Sequence, residues 1–274
     1  MPTRLGASGA FQSEPIATTD VVIERQGETL ALVPAQVRGG PGQKVVPDRR
    51  NVRKLSTVHL PTEVNLYADE VQNLKAFGSE TDEETAQAWL MRKLMVARRR
   101  LELTLEWQRM GALKGIVLDA DGTTPLVNLF TEFGVSQQDL DFDLDTSGTK
   151  VLLKCLSYKR MVEDELGGMP YTRIVMECSP EFYDAFTTHV SVFDAFQFYQ
   201  ANRKSSDMRD GFDFGGIVFR EYRGKVGATQ FVEANAAYPI IEGTPDLYLS
   251  NWAPAPYNET VNTIGQPLYA KQEP

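Results

Sequence analysis

The chain has 274 residues, a formal net charge of −9, two cysteines and two histidines. This length buries a large core as one or two domains, while two cysteines give no disulfide framework, which fits synthesis in a reducing cytoplasm, and two histidines exclude a mechanism that needs clustered imidazoles. The acidity argues against general coating of nucleic acid, whose phosphates favour basic partners; no apolar run is long enough to span a bilayer, and the opening MPTRLGASGAF lacks the apolar core of a secretion signal.

Residues 1–20 read as an irregular arm with glycines, prolines and no period. Val21 to Arg25 and Thr29 to Val33 are β-prone and flank Gln26-Gly27, which predicts a hairpin. Residues 34–56 have no apolar periodicity and carry Arg38, Lys44, Arg49, Arg50, Arg53 and Lys54 against the single acid Asp48. A structureless stretch of this length inside a domain is usually functional or disordered. Val58 to Leu66 reads as a returning strand. Residues 21–66 together predict a long two-stranded arm with a basic, flexible tip.

From Thr81 to Met110 the period becomes helical. Thr81 with Glu84 forms a capping box, and Ala86, Leu90, Leu94, Ala97, Leu101 and Leu105 make one apolar stripe. Gly111 and Gly115 are the expected stop. Such a helix is roughly 45 Å long. With Arg92, Lys93, Arg98, Arg99 and Arg100 on its other faces, it reads as a half-exposed spine. Ile116 to Phe130 predicts strand, Asp-Gly turn and second apolar run. Phe142 and Leu144 predict another strand. Val151, Cys155, Tyr158, Val162 and Leu166 mark an amphipathic helix that stops at Gly167-Gly168. Thr172 to Cys178 is β-prone, and Ser179-Pro180 starts a helix running towards Tyr199. Strands follow at Phe212 to Tyr222, Phe231-Val232 and Leu247 to Leu249. The second half is therefore α+β, without repeats. The tail Gly243 to Lys271 carries Tyr248, Trp252, Tyr257 and Tyr269, an aromatic load that needs a surface. It is expected to return to the body of the fold or to dock on a neighbouring subunit.

The sharpest enzymatic motif is IVLDADGTTP. It resembles the first motif of haloacid-dehalogenase phosphatases, in which one aspartate (here Asp119) is the nucleophile and the next (Asp121) a general acid beside magnesium. A long helix precedes it, Thr124 stands where a large aliphatic residue is usual, and no later Gly-Asp pair supplies a magnesium ligand. A β-turn explains the same residues. Asp139, Asp141, Asp143 and Asp145 could present oxygens to calcium, but without the calcium-loop pattern they read as a solvated strand face. Gly39 to Lys44 misses the spacing of a phosphate-binding loop, with Val45 in place of Ser or Thr. Cys155 lies on an apolar helix face and reads as core. No motif calls for a cofactor or a metal. Two alternative functions stay open on these residues: a magnesium-dependent phosphohydrolase centred on Asp119, and a nucleic-acid-binding module using the basic 38–54 stretch.

One resemblance covers nearly the whole chain in colinear order. Arg4-Leu5-Gly6 with Phe11, Arg38-Gly39 with Pro41-Gly42, and Leu101 through Glu106 with Gly111 to Gly115 lead into Asp119 to Gly122. Phe133-Gly134, Cys178 to Phe182, Phe219 to Tyr222, Ala253-Pro254, Glu259 to Thr263, Gly265 and Tyr269 to Lys271 complete the series. These segments resemble the E-type major capsid proteins of lambda-like tailed bacteriophages. The resemblance implies the Hong Kong ninety-seven type capsid fold: an N-terminal arm (1–20), an extended loop (21–76), a peripheral domain with a spine helix (77–134 and 250–274) and an axial domain (135–249). It further implies a structural subunit of the virion, made in the host bacterial cytoplasm and not an enzyme. Such a subunit self-assembles into hexamers and pentamers of an icosahedral shell around double-stranded DNA, without sequence-specific DNA binding. Portal, scaffolding and decoration proteins are the implied partners. In that setting the acidity suits a wall around packed DNA, although many proteins are acidic for solubility alone. The extended loop would lie over a neighbour, with Arg38, Lys44, Arg49, Arg50, Arg53 and Lys54 at the subunit interface.

Overall fold

A computed structural model describes residues 4–25, 51–71, 86–202 and 207–272. In chain order its elements are α1 (Arg4–Ala7), β1 (Gln12–Pro15), β2 (Asp20–Arg25), β3 (Asn51–Ser56), α2 (Ala68–Val71), α3 (Ala86–Lys114), β4 (Ile116–Leu118), β5 (Pro125–Asn128) and α4 (Leu129–Phe133). They continue with α5 (Val151–Leu166), β6 (Arg173–Cys178), α6 (Pro180–Thr188), α7 (Val190–Asn202), β7 (Phe212–Phe214), β8 (Ile217–Glu221), β9 (Lys225–Val226), β10 (Thr229–Gln230), β11 (Ala237–Glu242) and β12 (Leu249–Trp252). This is a mixed helix-and-strand protein of α+β class. The chain divides into two compact units, Met1–Gln12 with Leu60–Leu249 and Ser13–His59 with Ser250–Pro274.

The larger unit is built on a four-stranded sheet of order β11-β6-β8-β7. Only β6 and β8 run parallel; the other neighbours are antiparallel. Alternation along the strands sorts their side chains to opposite faces. Ile174, Met176, Cys178, Ile217 and Phe219 join α5, α6 and Phe142 in one core, where the rings of Phe186 and Phe219 stack at 4.0 Å. Val175, Ile240 and the partly buried Val218 join Leu5, Met110, Phe231 and Trp107 in the other. The central strand β6 is buried on both faces, hence its nearly unbroken apolar run.

Several sequence expectations agree with these elements. The five predicted core residues of α5 are the five that are buried, and Gly167 ends the helix in the left-handed region. Ser179 caps α6 by accepting the Phe182 N–H at 3.2 Å, with Pro180 in the first turn. The Asp-Gly turn does join two antiparallel strands, β4 and β5.

Other expectations are corrected. Helix α3 continues through Gly111 and ends before Gly115, whose φ is 87°. Gly111 is required for another reason: a Cβ there would sit 2.9 Å from the Ile116 carbonyl oxygen, because β4 turns back against the helix. The expected stripe of α3 is also displaced. Leu94 is exposed, and the buried residues are Glu106 and Met110. The capping box at Thr81 lies outside the described residues. Residues 58–66 form no strand; Pro61 removes a backbone donor there. Phe142 is buried without any strand around it. Phe231 and Val232 are buried in a loop, and β11, with Pro239 inside it, was not expected. That proline is tolerated because β11 is an edge strand that pairs only with β6.

In the smaller unit the tail turns back on residues 13–16. The Ile16 N–H donates to the Trp252 carbonyl at 2.9 Å, and the Gly265 N–H donates to the Ile16 carbonyl at 2.8 Å. Trp252 Nε1 donates to Ser13 Oγ at 2.7 Å. Tyr257 and Tyr269 meet edge-on at 6.5 Å, and Lys271 Nζ lies 5.0 Å over the Tyr257 ring. The aromatic tail thus finds its surface within its own chain. Strands β2 and β3 pair antiparallel within this unit.

Candidate assembly surface

The basic segment singled out in the sequence divides at the limit of what the structure describes. Arg38, Lys44, Arg49 and Arg50 lie outside the described residues, as do the expected partner strand Thr29 to Val33 and the glycine-rich Gly39 to Lys44. Arg53 and Lys54 sit on β3, opposite Ile23 and Val22 respectively. They belong to a regular strand, which corrects the expectation of a structureless stretch reaching to residue 56.

The β2–β3 ribbon offers two faces. Cross-strand partners share a face, so Val22, Val52 and Lys54 point one way, and Val21, Ile23, Arg53 and Leu55 the other. Val22 is 50% and Val52 56% exposed. An isolated two-stranded hairpin is marginal in water. At its base Ser56 Oγ donates to Asp20 Oδ1 at 2.8 Å, and the Thr57 N–H donates to the Thr19 carbonyl at 3.0 Å. The ribbon is therefore anchored at one end and exposes apolar side chains along its length.

The candidate chemistry resolves into structure. Asp121 accepts the N–H groups of Thr123 and Thr124, each at 2.9 Å, and the Thr124 hydroxyl at 2.5 Å. These bonds, the Thr124 hydroxyl first, hold its carboxyl well below the ordinary carboxylate range. Asp119 accepts the Ala120 N–H at 2.7 Å, and Gly122 adopts a φ of 71°. Both carboxylates are used to close the β4–β5 turn. Asp143 pairs with Lys154, and Asp141 accepts the Asp143 N–H at 2.8 Å. Cys155 is fully buried, and burial pushes its thiol up to about 12. Among the described residues, no group of three or more His, Cys, Asp or Glu could hold a metal ion, and no helix is long and apolar enough to cross a membrane.

One constellation escaped the sequence reading. Glu106 on α3 is completely buried. Its Oε1 accepts the Leu5 N–H at 2.6 Å and the Tyr222 hydroxyl at 3.0 Å, while Oε2 accepts the Gly6 N–H at 2.9 Å. Arg4 reaches Glu177 at 3.5 Å and donates to the Glu221 carbonyl at 2.9 Å; Arg220 donates to Glu177 at 2.6 Å. The N-terminal helical turn is thereby latched to α3 and the sheet. A signal was present: Leu103, Met110 and Leu113 place Glu106 inside an apolar stripe at helical spacing.

Compared with known proteins, residues 1–274 match in full the profile of the family described as phage major capsid protein E. The chain belongs to this family. It is similar to the major capsid protein of Pseudomonas phage KPP10, with 27% identity over 288 residues covering 96% of this chain and 81% of that protein. It is also similar to the major capsid protein of Salmonella phage Felix O1 (isolate Felix O1-VT1), with 24% identity over 300 residues, 95% of this chain and 80% of that one. The protein is thus a structural component of a phage virion and not an enzyme. The phosphatase reading falls with that membership, and the capsid protein uses Asp119 and Asp121 as turn residues.

Proposed function

We propose that this capsid protein adopts the Hong Kong ninety-seven type fold and self-assembles into hexamers and pentamers of an icosahedral shell enclosing double-stranded DNA. The observation that carries the reading is the family match over the entire chain. The divisions proposed are the arm 1–20, the extended loop 21–76, the peripheral domain 77–134 with 250–274, and the axial domain 135–249. The loop lies over a neighbouring subunit. Arg38, Lys44, Arg49, Arg50, Arg53 and Lys54 meet an acidic surface there, and the exposed Val22 and Val52 support an apolar contact along the ribbon. Exposed ion pairs contribute only about 0.2–1 kcal/mol each, so charge sets register while buried apolar area, repeated around the shell, supplies stability. The net charge of −9 suits a wall that encloses DNA without gripping it. Portal, scaffolding and decoration proteins are the proposed partners, and the host bacterial cytoplasm the site of synthesis. Light scattering and negative-stain microscopy of the purified protein test the reading. Capsomers or shells are expected; a monomer at every concentration and salt, with or without scaffold, overturns it.

A further inference from the structure

The first turns of α3 stand out from their own unit. No residue between Ala86 and Leu105 is buried, whereas Glu106 and Met110 are. A helix draws most of its stability from packing an apolar face, yet here Met91 is 54% and Met95 51% exposed, with Leu94 and Val96 also exposed. A groove of about 460 Å³ runs between residues 62–65 and α3, lined by Trp89, Val96 and Arg100 among others. Lys93 bridges it by donating to the Asn65 carbonyl at 2.9 Å and pairing with Glu70. Arg98 pairs with Glu102 at 2.9 Å. Arg99 and Arg100 are exposed and have no carboxylate partner among the described residues. By helical spacing Met95, Val96, Arg99 and Arg100 share one side of α3, and exposed apolar side chains rimmed by charge suit an interaction surface.

The same chain carries a surface of matching sign. Helix α5 places Glu163, Asp164 and Glu165 in its last turn with no basic residue there, although carboxylates at a helix C-terminus oppose its dipole. Gln138 Nε2 donates to Glu165 Oε1 at 3.3 Å, which brings the exposed neighbour Asp139 to that helix end, whereas Asp141 lies towards the start of α5, where Lys154 Nζ donates to its carbonyl at 2.9 Å. Asp139 accepts from Gln137 Nε2 at 2.7 Å and Glu163 from the Tyr171 hydroxyl at 2.6 Å, while among the described residues nothing donates to the Asp164 carboxylate.

We propose that the apolar, basic face of α3 around Arg99 and Arg100 docks the acidic patch of a second copy of this chain, formed by Asp139, Asp164 and Glu165. The proposal rests on the self-assembly reading and adds a contact separate from the extended loop. Charge reversal with rescue tests it. Arg99→Glu with Arg100→Glu is expected to lower the yield of sedimenting shells at least tenfold, and Asp139→Lys with Asp164→Lys to do the same. The four changes together are expected to restore the yield to within twofold of the unaltered protein. Normal yield from either pair, or no restoration by the combination, overturns the contact. So do Arg99→Glu, Arg100→Glu shells that form normally but retain less DNA, since that face would then serve nucleic acid. Should a reversal lose its helical circular dichroism, Arg99→Gln with Arg100→Gln reads the same contact, with a smaller loss expected and normal yield overturning it. Failure of the unaltered chain to assemble would instead sink the underlying self-assembly reading.

Discussion

Glu106 shows how one residue can hold a chain terminus. Its carboxylate satisfies two backbone N–H groups of the N-terminal turn and the Tyr222 hydroxyl, all at a fully buried position. Removing an acceptor from buried donors costs about 1–3 kcal/mol per stranded group. Glu106→Ala is expected to destabilise the subunit by roughly 2–4 kcal/mol and to open the residues around Leu5 to protease; urea unfolding and limited proteolysis check both. Glu177 behaves differently. Burial pushes its carboxyl above the usual range, and the Arg220 and Arg4 charges only partly oppose this. A carboxyl whose folded pKa is raised contributes stability that is full below its unfolded value and is lost as pH rises through the folded one. The melting temperature of the unaltered subunit minus that of Glu177→Gln should therefore fall as pH rises through and beyond the ordinary carboxylate range. A difference independent of pH would contradict that environment for Glu177.

At the scale of elements, two glycines are fixed by close approach and not by turn chemistry. Gly111 lets β4 fold back on α3, and Gly265 lets the tail cross Trp252. A Cβ at residue 265 would lie 1.9 Å from the Trp252 carbonyl oxygen, which is backbone and cannot swing aside. Gly265→Ala is expected to release the tail, lose the Gly265–Ile16 bond and expose residues 266–272 to carboxypeptidase, while the four-stranded sheet of the other unit keeps its amide protection. Hydrogen exchange reads both regions at once. Unchanged protection at Ile16 and Gly265 would mean the backbone yields more easily than the geometry implies.

For the whole molecule the decisive question is which surfaces meet between copies. The proposed loop contact is tested by Arg49→Glu, Arg50→Glu and Arg53→Glu together. Residues 36–54 hold little apolar content, so the unassembled subunit should stay folded, with a destabilisation of about 1 kcal/mol expected from the half-buried Arg53 on β3. Shell yield should collapse. Normal shells, or an unfolded subunit, would remove the basic segment from the assembly interface. The α3 contact and the loop contact make separable predictions, since each has its own set of charges.

Local pattern alone determined the elements whose chemistry is self-contained. Helix α5 was legible because its core residues recur at helical spacing and a Gly pair stops it. The α6 start was legible because Ser and Pro act within one turn, and the β4–β5 turn because Asp-Gly closes it without distant help. The family, too, was legible, from short segments in a fixed order. Tertiary structure decided the rest. Strand β3 pairs with β2 across the intervening segment, a long-range choice that no local period records. Phe142 and Phe231 are buried without strands because neighbouring elements, not their own backbone, shield them. Glu106 looked like one more charge on a helix. Only the packing of the N-terminal turn against α3 supplied the buried N–H groups that make a carboxylate, and no apolar side chain, fit there.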